Sequence, residues 1–190
     1  MKKCSCGKIL EQQAIYQLKK AELTQSKMVY TGSSRKPAVK VTDRLGRTIG
    51  SQNYQLIYQN NIYVGKATAV IVFKGDYKGS QKKSFTIEPG KTSLSKLKAK
   101  KKGFTISWKK QSSQTSGYEI QYSTSSKFTK KATKTINIKN NRTTTKTISK
   151  LKAKKKYYAR IRTYKNVKVS GKTTKIYSGW SKAKSVKTKK

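Results

Sequence analysis

Catalysis, metal binding and redox chemistry need ionisable or nucleophilic side chains gathered in one place, and this sequence supplies few of them. It has no histidine, two cysteines and six acidic residues among 190. Cys4-Ser5-Cys6 would give half of a zinc site. A structural zinc site takes about four donors, and no histidine or third cysteine is present to complete it; the pair reads as two thiols on an arm. General acid–base catalysis needs two ionisable groups held together with separated pKa values. Asp43 and Asp76 fall in turn-like contexts, where a short carboxylate organises the local backbone. Glu88 ends a strand-like run beside Pro89, and Glu119 is the only acid after residue 90. The expectation is a chain with no catalytic set, no metal site and no cofactor.

What remains is basic chemistry. Tyr158, Arg160, Arg162 and Tyr164 alternate along one run, which would place two guanidinium groups and two phenol rings on one exposed strand face. Such a surface can hold a polyanion by charge and stacking. The KAKKK tract just before it adds Lys154, Lys155 and Lys156 to the same candidate polyanion-binding set. Glu119 is expected on the outward face of a neighbouring strand, forming a cross-strand ion pair with these arginines worth at most about 1 kcal/mol. Lysine and arginine total 47, and the formal net charge is +41. Residues 1–90 hold 16 of the bases and five of the acids; residues 91–190 hold 31 bases and one acid. Such a field draws polyanions by counterion release. Only six of the bases are arginine. Reading of base edges favours the bidentate guanidinium fork, so contact with nucleic acid is expected to be nonspecific.

The elements that must position these groups are strands. In residues 1–19 the spacing of Leu10, Ala14 and Leu18 suggests a short amphipathic helix in an N-terminal arm. From residue 20 to 88 the texture becomes short β-branched and aromatic runs bounded by Gly, Asn, Asp and Ser: 21–30, 37–41, 54–59, 67–75 and 82–88. The run ATAVIVFKG reads as central and buried on both faces. Pro89-Gly90 begins a linker, residues 89–93. Residues 94–188 then carry strand-like runs at regular spacing, the pattern of an antiparallel sandwich. Phe104, Ile106 and Trp108 share one face of the first run, and Tyr118, Ile120 and Tyr122 one face of the next. Further runs lie at 133–139, 143–149, 157–165 and 182–188. The octapeptide SKLKAKKK occurs at 95–102 and again at 149–156; the residues after the two copies differ, so it reads as an echo whose Leu97 and Leu151 plug a core from loop ends. No window approaches the ~20 apolar residues of a membrane helix, and the first twenty residues have a basic start without the ~7 to 15 apolar residues expected of a secretory leader. No membrane insertion is expected.

The second half resembles a fibronectin type III domain. The matching residues are Trp108, GYEIQYS at 117–123, Leu151 followed six residues later by Tyr157 in Tyr-x-Ala-x-Ile, and GWSKAKSVKT at 179–188. The resemblance implies a tyrosine corner, with the Tyr157 phenol bonded to the preceding loop and Tyr158 facing outward. Lys146 departs from the pattern by taking an inward slot, from which it would have to snorkel. Residues 20–88 are similar to small bacterial immunoglobulin-like surface modules, through YTGSSRKPAVKV, YQLIYQNNIYVG and GDYKGSQKKSFTI.

The two resemblances together imply an all-β chain of two tandem antiparallel sandwiches. They further imply a non-catalytic structural or adhesive part of a bacterial cell-surface or secreted protein, and a fragment of a longer parent chain with other modules. Its partners would be an anionic cell-wall polymer or glycan. The competing readings are a cytoplasmic, sequence-tolerant nucleic-acid-binding protein and the accessory segment of a larger carbohydrate-active enzyme.

Overall fold

The computed structural model describes residues 2–3, 9–11, 18–169 and 171–190. The regular structure of the described residues is strand, apart from two 3-10 turns, with no α-helix among them. They divide into two compact units: Met1–Met28, Ser33–Ile62 and Lys66–Ile87 in the first, and Val29–Gly32, Tyr63–Gly65 and Glu88–Lys190 in the second.

The helix expected in the arm is replaced, where the arm is described, by β1 (Lys2–Lys3) and β2 (Ile9–Glu11) paired antiparallel. Three apolar side chains at four-residue spacing do not offset helix nucleation in so short a segment. Ala14, Cys4 and Cys6 lie outside the described residues.

In the first unit the run 21–30 is two strands rather than one. β3 (Leu18–Leu23) pairs with β5 (Val39–Asp43). β4 (Lys27–Val29) instead joins β8 (Ser80–Glu88), β7 (Gly65–Phe73) and β6 (Tyr54–Gln59) in the order β4-β8-β7-β6. The change of sheet occurs at Thr24–Ser26: the Thr24 N–H donates to Ala38 O, while Ser26 O accepts from Thr86 N–H. Ala21 and Val41 of the smaller sheet pack with Ile71 and Phe73 of the larger one around Ile49. β7 is internal to its sheet but fully buries only one face, with Ala67, Ala69 and Ile71 at 0% exposure, while Thr68, Val70 and Val72 are half-buried. The expectation of burial on both faces is therefore corrected, because only one other sheet is available to cover it. Asp43, 2% exposed, closes the turn after β5: its carboxylate accepts from the backbone N–H of Leu45 and Arg47 at 2.9 Å and from Arg47 Nε at 2.7 Å.

The second unit is a sandwich of three strands on five. β9 (Leu94–Lys100), β10 (Gly103–Trp108) and β13 (Thr145–Ile148) form one sheet with β10 central. The other contains β12 (Thr133–Ile138), β11 (Gly117–Ser123), β14 (Lys156–Val169) and, on the outer edge of β14, both β15 (Lys172–Tyr177) and β16 (Lys184–Lys187). Period-two alternation puts Phe104, Ile106 and Trp108 against Tyr118, Ile120, Tyr122, Tyr157 and Ile161. Both Trp108 and Tyr157 are inside, at 3% and 7% exposure. Trp108 meets the Tyr118 ring edge-on at 5.4 Å, and its Nε1 is buried without a hydrogen-bond partner. Lys146 lies opposite Ile106, yet its side chain is exposed, since β13 is an edge strand.

The repeated octapeptide adopts two structures. At 95–102 it supplies most of β9; at 149–156 it is a turn in which Lys150 and Lys154 take φ of 58° and 50°. Only Leu151 plugs the core from a loop. Leu97 packs against the same core from within a strand, a correction to its expected place at a loop end. The lysine-rich composition fixes neither state, and the available partner decides: β10 offers a free edge to the first copy.

Candidate functional site

The basic strip is built on β14 beside β11. In that register Arg162 faces Glu119 and Arg160 faces Gln121. Arg162 donates from Nε and Nη2 to Glu119 Oε1 at 2.9 and 2.6 Å. Arg160 does the same to Gln121 Oε1 at 3.0 and 2.7 Å. On the other edge of β14, residues 178–183 leave regular strand between β15 and β16. Two serines continue the ladder across that gap. Ser178 Oγ accepts from Thr163 N–H and Ser181 Oγ from Ile161 N–H, both at 3.1 Å, and the two serine N–H groups donate to the carbonyls of the same two residues.

The break lays the Trp180 indole over both guanidinium groups, 4.5 Å from Arg160 and 4.3 Å from Arg162. Phe128 lies 4.2 Å from Arg160, and Tyr177 lies 3.7 Å from Arg162. Cations and rings interleave, as expected of a strip, but the rings come from other parts of the chain. Tyr158 is half-buried, with Lys156 Nζ 5.3 Å from its ring centroid. Tyr164 is 1% exposed, and this corrects its expected place on the open face. Its ring packs against Tyr177 at 6.0 Å, and its hydroxyl donates to Ile138 O at 3.3 Å. The alternation of β14 breaks at Thr163 and Tyr164, both buried, because Gly117 faces Tyr164 and has no side chain to hold the ring away. Arg160 and Arg162 thus spend their hydrogen bonds and ring contacts within the fold. Sequence spacing found the cations. A tryptophan bracketed by Ser178 and Ser181 was the signal that could have found the missing ring.

Burial and the charge of Glu119 together push the phenols of Tyr164 and Tyr177 above the ordinary range. Burial, reinforced by Tyr157, does the same to Tyr122.

The lysine tract lies in the loop between β13 and β14, with Lys156 as the first residue of β14, and two hydroxyls hold that loop. The Lys152 N–H donates to Tyr157 Oη at 3.3 Å, the expected tyrosine corner. Thr188, 3% exposed, donates from Oγ1 to Lys152 O at 2.7 Å and accepts from Lys155 N–H at 3.1 Å. With the backbone fixed at both lysines, the side chains of Lys154, Lys155 and Lys156 stand exposed. They do not join the guanidinium stack into one surface motif; they belong to the loop end of the sandwich. Among the described residues there is no cluster of three or more acids, cysteines or histidines that could hold a metal. No described helix is long and apolar enough to cross a membrane.

Solved structures similar to the chain include a β-1,2-glucanase from Parabacteroides distasonis, 16% identical with a TM-score of 0.39; the alignment covers 65% of this chain and 18% of that one. The FN1-FN3 domains of chicken CNTN1 are 14% identical with a TM-score of 0.43, over 89% of this chain and 70% of that one. Domains A168-A170 of titin are 13% identical with a TM-score of 0.34, over 90% and 66%. No curated protein matches the chain. The sequence model of the Fibronectin type III domain matches residues 88–178. That span holds Trp108, the Tyr157 corner and every strand of the three-on-five sandwich except β16, and it is a fibronectin type III domain.

Proposed function

We propose that this chain is a non-catalytic structural and adhesive segment of a larger bacterial cell-surface or secreted protein. In this reading residues 20–88 are an immunoglobulin-like surface module, and the fibronectin type III domain presents a lysine surface to an anionic wall polymer or glycan. The observation that carries the reading is the state of the one acidic side chain after residue 90. Glu119 is 6% exposed and paired with Arg162, so the outside of residues 91–190 presents cationic groups with no exposed carboxylate side chain among them. A surface of one sign steers polyanions to itself and gains affinity by releasing their counterions. Lysines spread over strands and loops, without an arginine-rich groove, suit a flexible repetitive polymer better than a base-reading interface.

The test is retention of the full chain on purified anionic wall polymer across a salt series. Retention falling steeply with ionic strength is the expected result. Retention unchanged from low to high salt would remove the electrostatic basis of the reading, and a clear preference for duplex DNA at matched salt would favour a nucleic-acid role instead.

A further inference from the structure

At one end of the second unit is a cavity of about 460 Å³ with lysines on both sides. Lys131 and Lys134 come from the 3-10 turn Lys130–Ala132 and β12; Lys150, Lys152 and Lys155 come from the loop between β13 and β14. The Tyr122 and Tyr157 rings, 6.4 Å apart, contribute to its lining while remaining 9% and 7% exposed. No acidic residue lines it. Five like charges around one concavity repel each other, and the loop cannot swing three of them away freely, because Tyr157 Oη and Thr188 Oγ1 hold its backbone at Lys152 and Lys155.

We propose that this cavity is a discrete binding site for a short stretch of a linear phosphate polymer with a non-aromatic backbone, such as a chain of phosphodiester-linked polyols. The proposal rests on the polyanion-presenting reading and narrows it from a whole surface to one site. Three observations select the ligand. The cavity is of the size that takes a small organic ligand rather than a single ion. The charged groups are all ammonium, which engages a phosphate oxygen as a point charge from any direction, whereas a planar carboxylate is matched best by a guanidinium fork. Finally, the site offers no exposed ring face: Tyr122 and Tyr157 both pack against Phe104, at 6.2 Å each. Nucleobases held without sequence preference need such faces for stacking.

The experiment uses inorganic tripolyphosphate as the probe on the full chain, by calorimetry and by amide chemical-shift mapping at fixed ionic strength. Three proteins are compared: wild type, the triple variant K150Q/K152Q/K155Q, and the control K96Q/K98Q/K100Q, which removes the same charge from exposed positions of β9. All six lysines are exposed, and unchanged melting curves will show that both variants fold. The expected result is one tight site whose affinity falls about tenfold or more in the loop variant, with a shallower salt dependence, while the control changes by about twofold or less. Shifts should concentrate at Thr124, Ala132 and residues 150–155.

Equal losses in the two variants would overturn the discrete site and leave the diffuse reading standing. Absence of any tripolyphosphate binding by a wild type that still shows salt-sensitive retention on wall polymer would also overturn the site alone. Salt-insensitive retention would remove the broader reading. Tighter, loop-dependent binding of oligo(dT) than of tripolyphosphate would overturn the ligand assignment.

Discussion

Glu119 is a carboxylate almost sealed inside a sheet dominated by cations, and Arg162 answers it with two donors on one oxygen. The asymmetry of removing either partner follows from that burial. Arg162→Met strips the ion of its partner and leaves it in a poorly solvated place, so it should cost about 3 kcal/mol. Glu119→Gln removes the charge together with the need for it, keeps an acceptor for Arg162, and should cost about 1 kcal/mol. Midpoints of chemical unfolding for the two variants check the ordering; equal costs would mean that solvent reaches the carboxylate. The pairing itself could be read from the alternation of two neighbouring strands. Its burial could not, because the cover comes from Trp180 and Tyr177, which reach the site only once the β15–β16 break has folded across the face. The small worth expected for an exposed pair was an estimate for the wrong environment.

The strand most open to sequence reading, β14, is also one where alternation fails. Phe104 through Trp108 keep the two-residue burial period, whereas on β11 the covered Glu119 fills an outward slot between buried Tyr118 and Ile120. At Tyr164 the period yields to a gap left on the adjacent strand by Gly117. A methyl group built there would run into Ile138 O and come within 2.8 Å of Tyr164 Oη. Gly117→Ala should therefore destabilise the second unit by about 1–3 kcal/mol through overpacking, and it should raise the solvent exposure of Tyr164, which fluorescence quenching would report. The octapeptide copies teach the same lesson from another side. One sequence is strand at 95–102 and turn at 149–156, so local composition is silent and the neighbouring edge decides. For that reason β9 and β15, rich in lysine and threonine and poor in apolar signal, were not legible as strands, while the positions of Trp108 and Tyr157 were.

Among the described residues, lysines are spread over the surface while several phenols are kept in. Burial first, and neighbouring charge or phenol second, pushes Tyr58, Tyr122, Tyr164 and Tyr177 above the ordinary phenol range. A raised folded-state pKa contributes stability that is complete below the ordinary phenol pKa and is lost as the pH rises through the raised values. Alkaline titration followed by phenolate absorbance should thus show these four tyrosines ionising late, as the fold opens; their ionisation at the free-phenol value in the folded protein would contradict it. Absorbance is the better readout than stability alone, since it reports the phenolates directly.

β14 carries one more consequence at this scale. Its pairing with β11 ends at Tyr164, but its ladder with β15 runs on to Val169. Beyond the sandwich the two strands continue as a ribbon only two strands wide, a form barely stable by itself in water. In a fold dense with trypsin sites, the first clip within the second unit should fall at Lys168 or Lys172. The nicked halves should stay together, clasped by the part of β14 that lies within the five-stranded sheet.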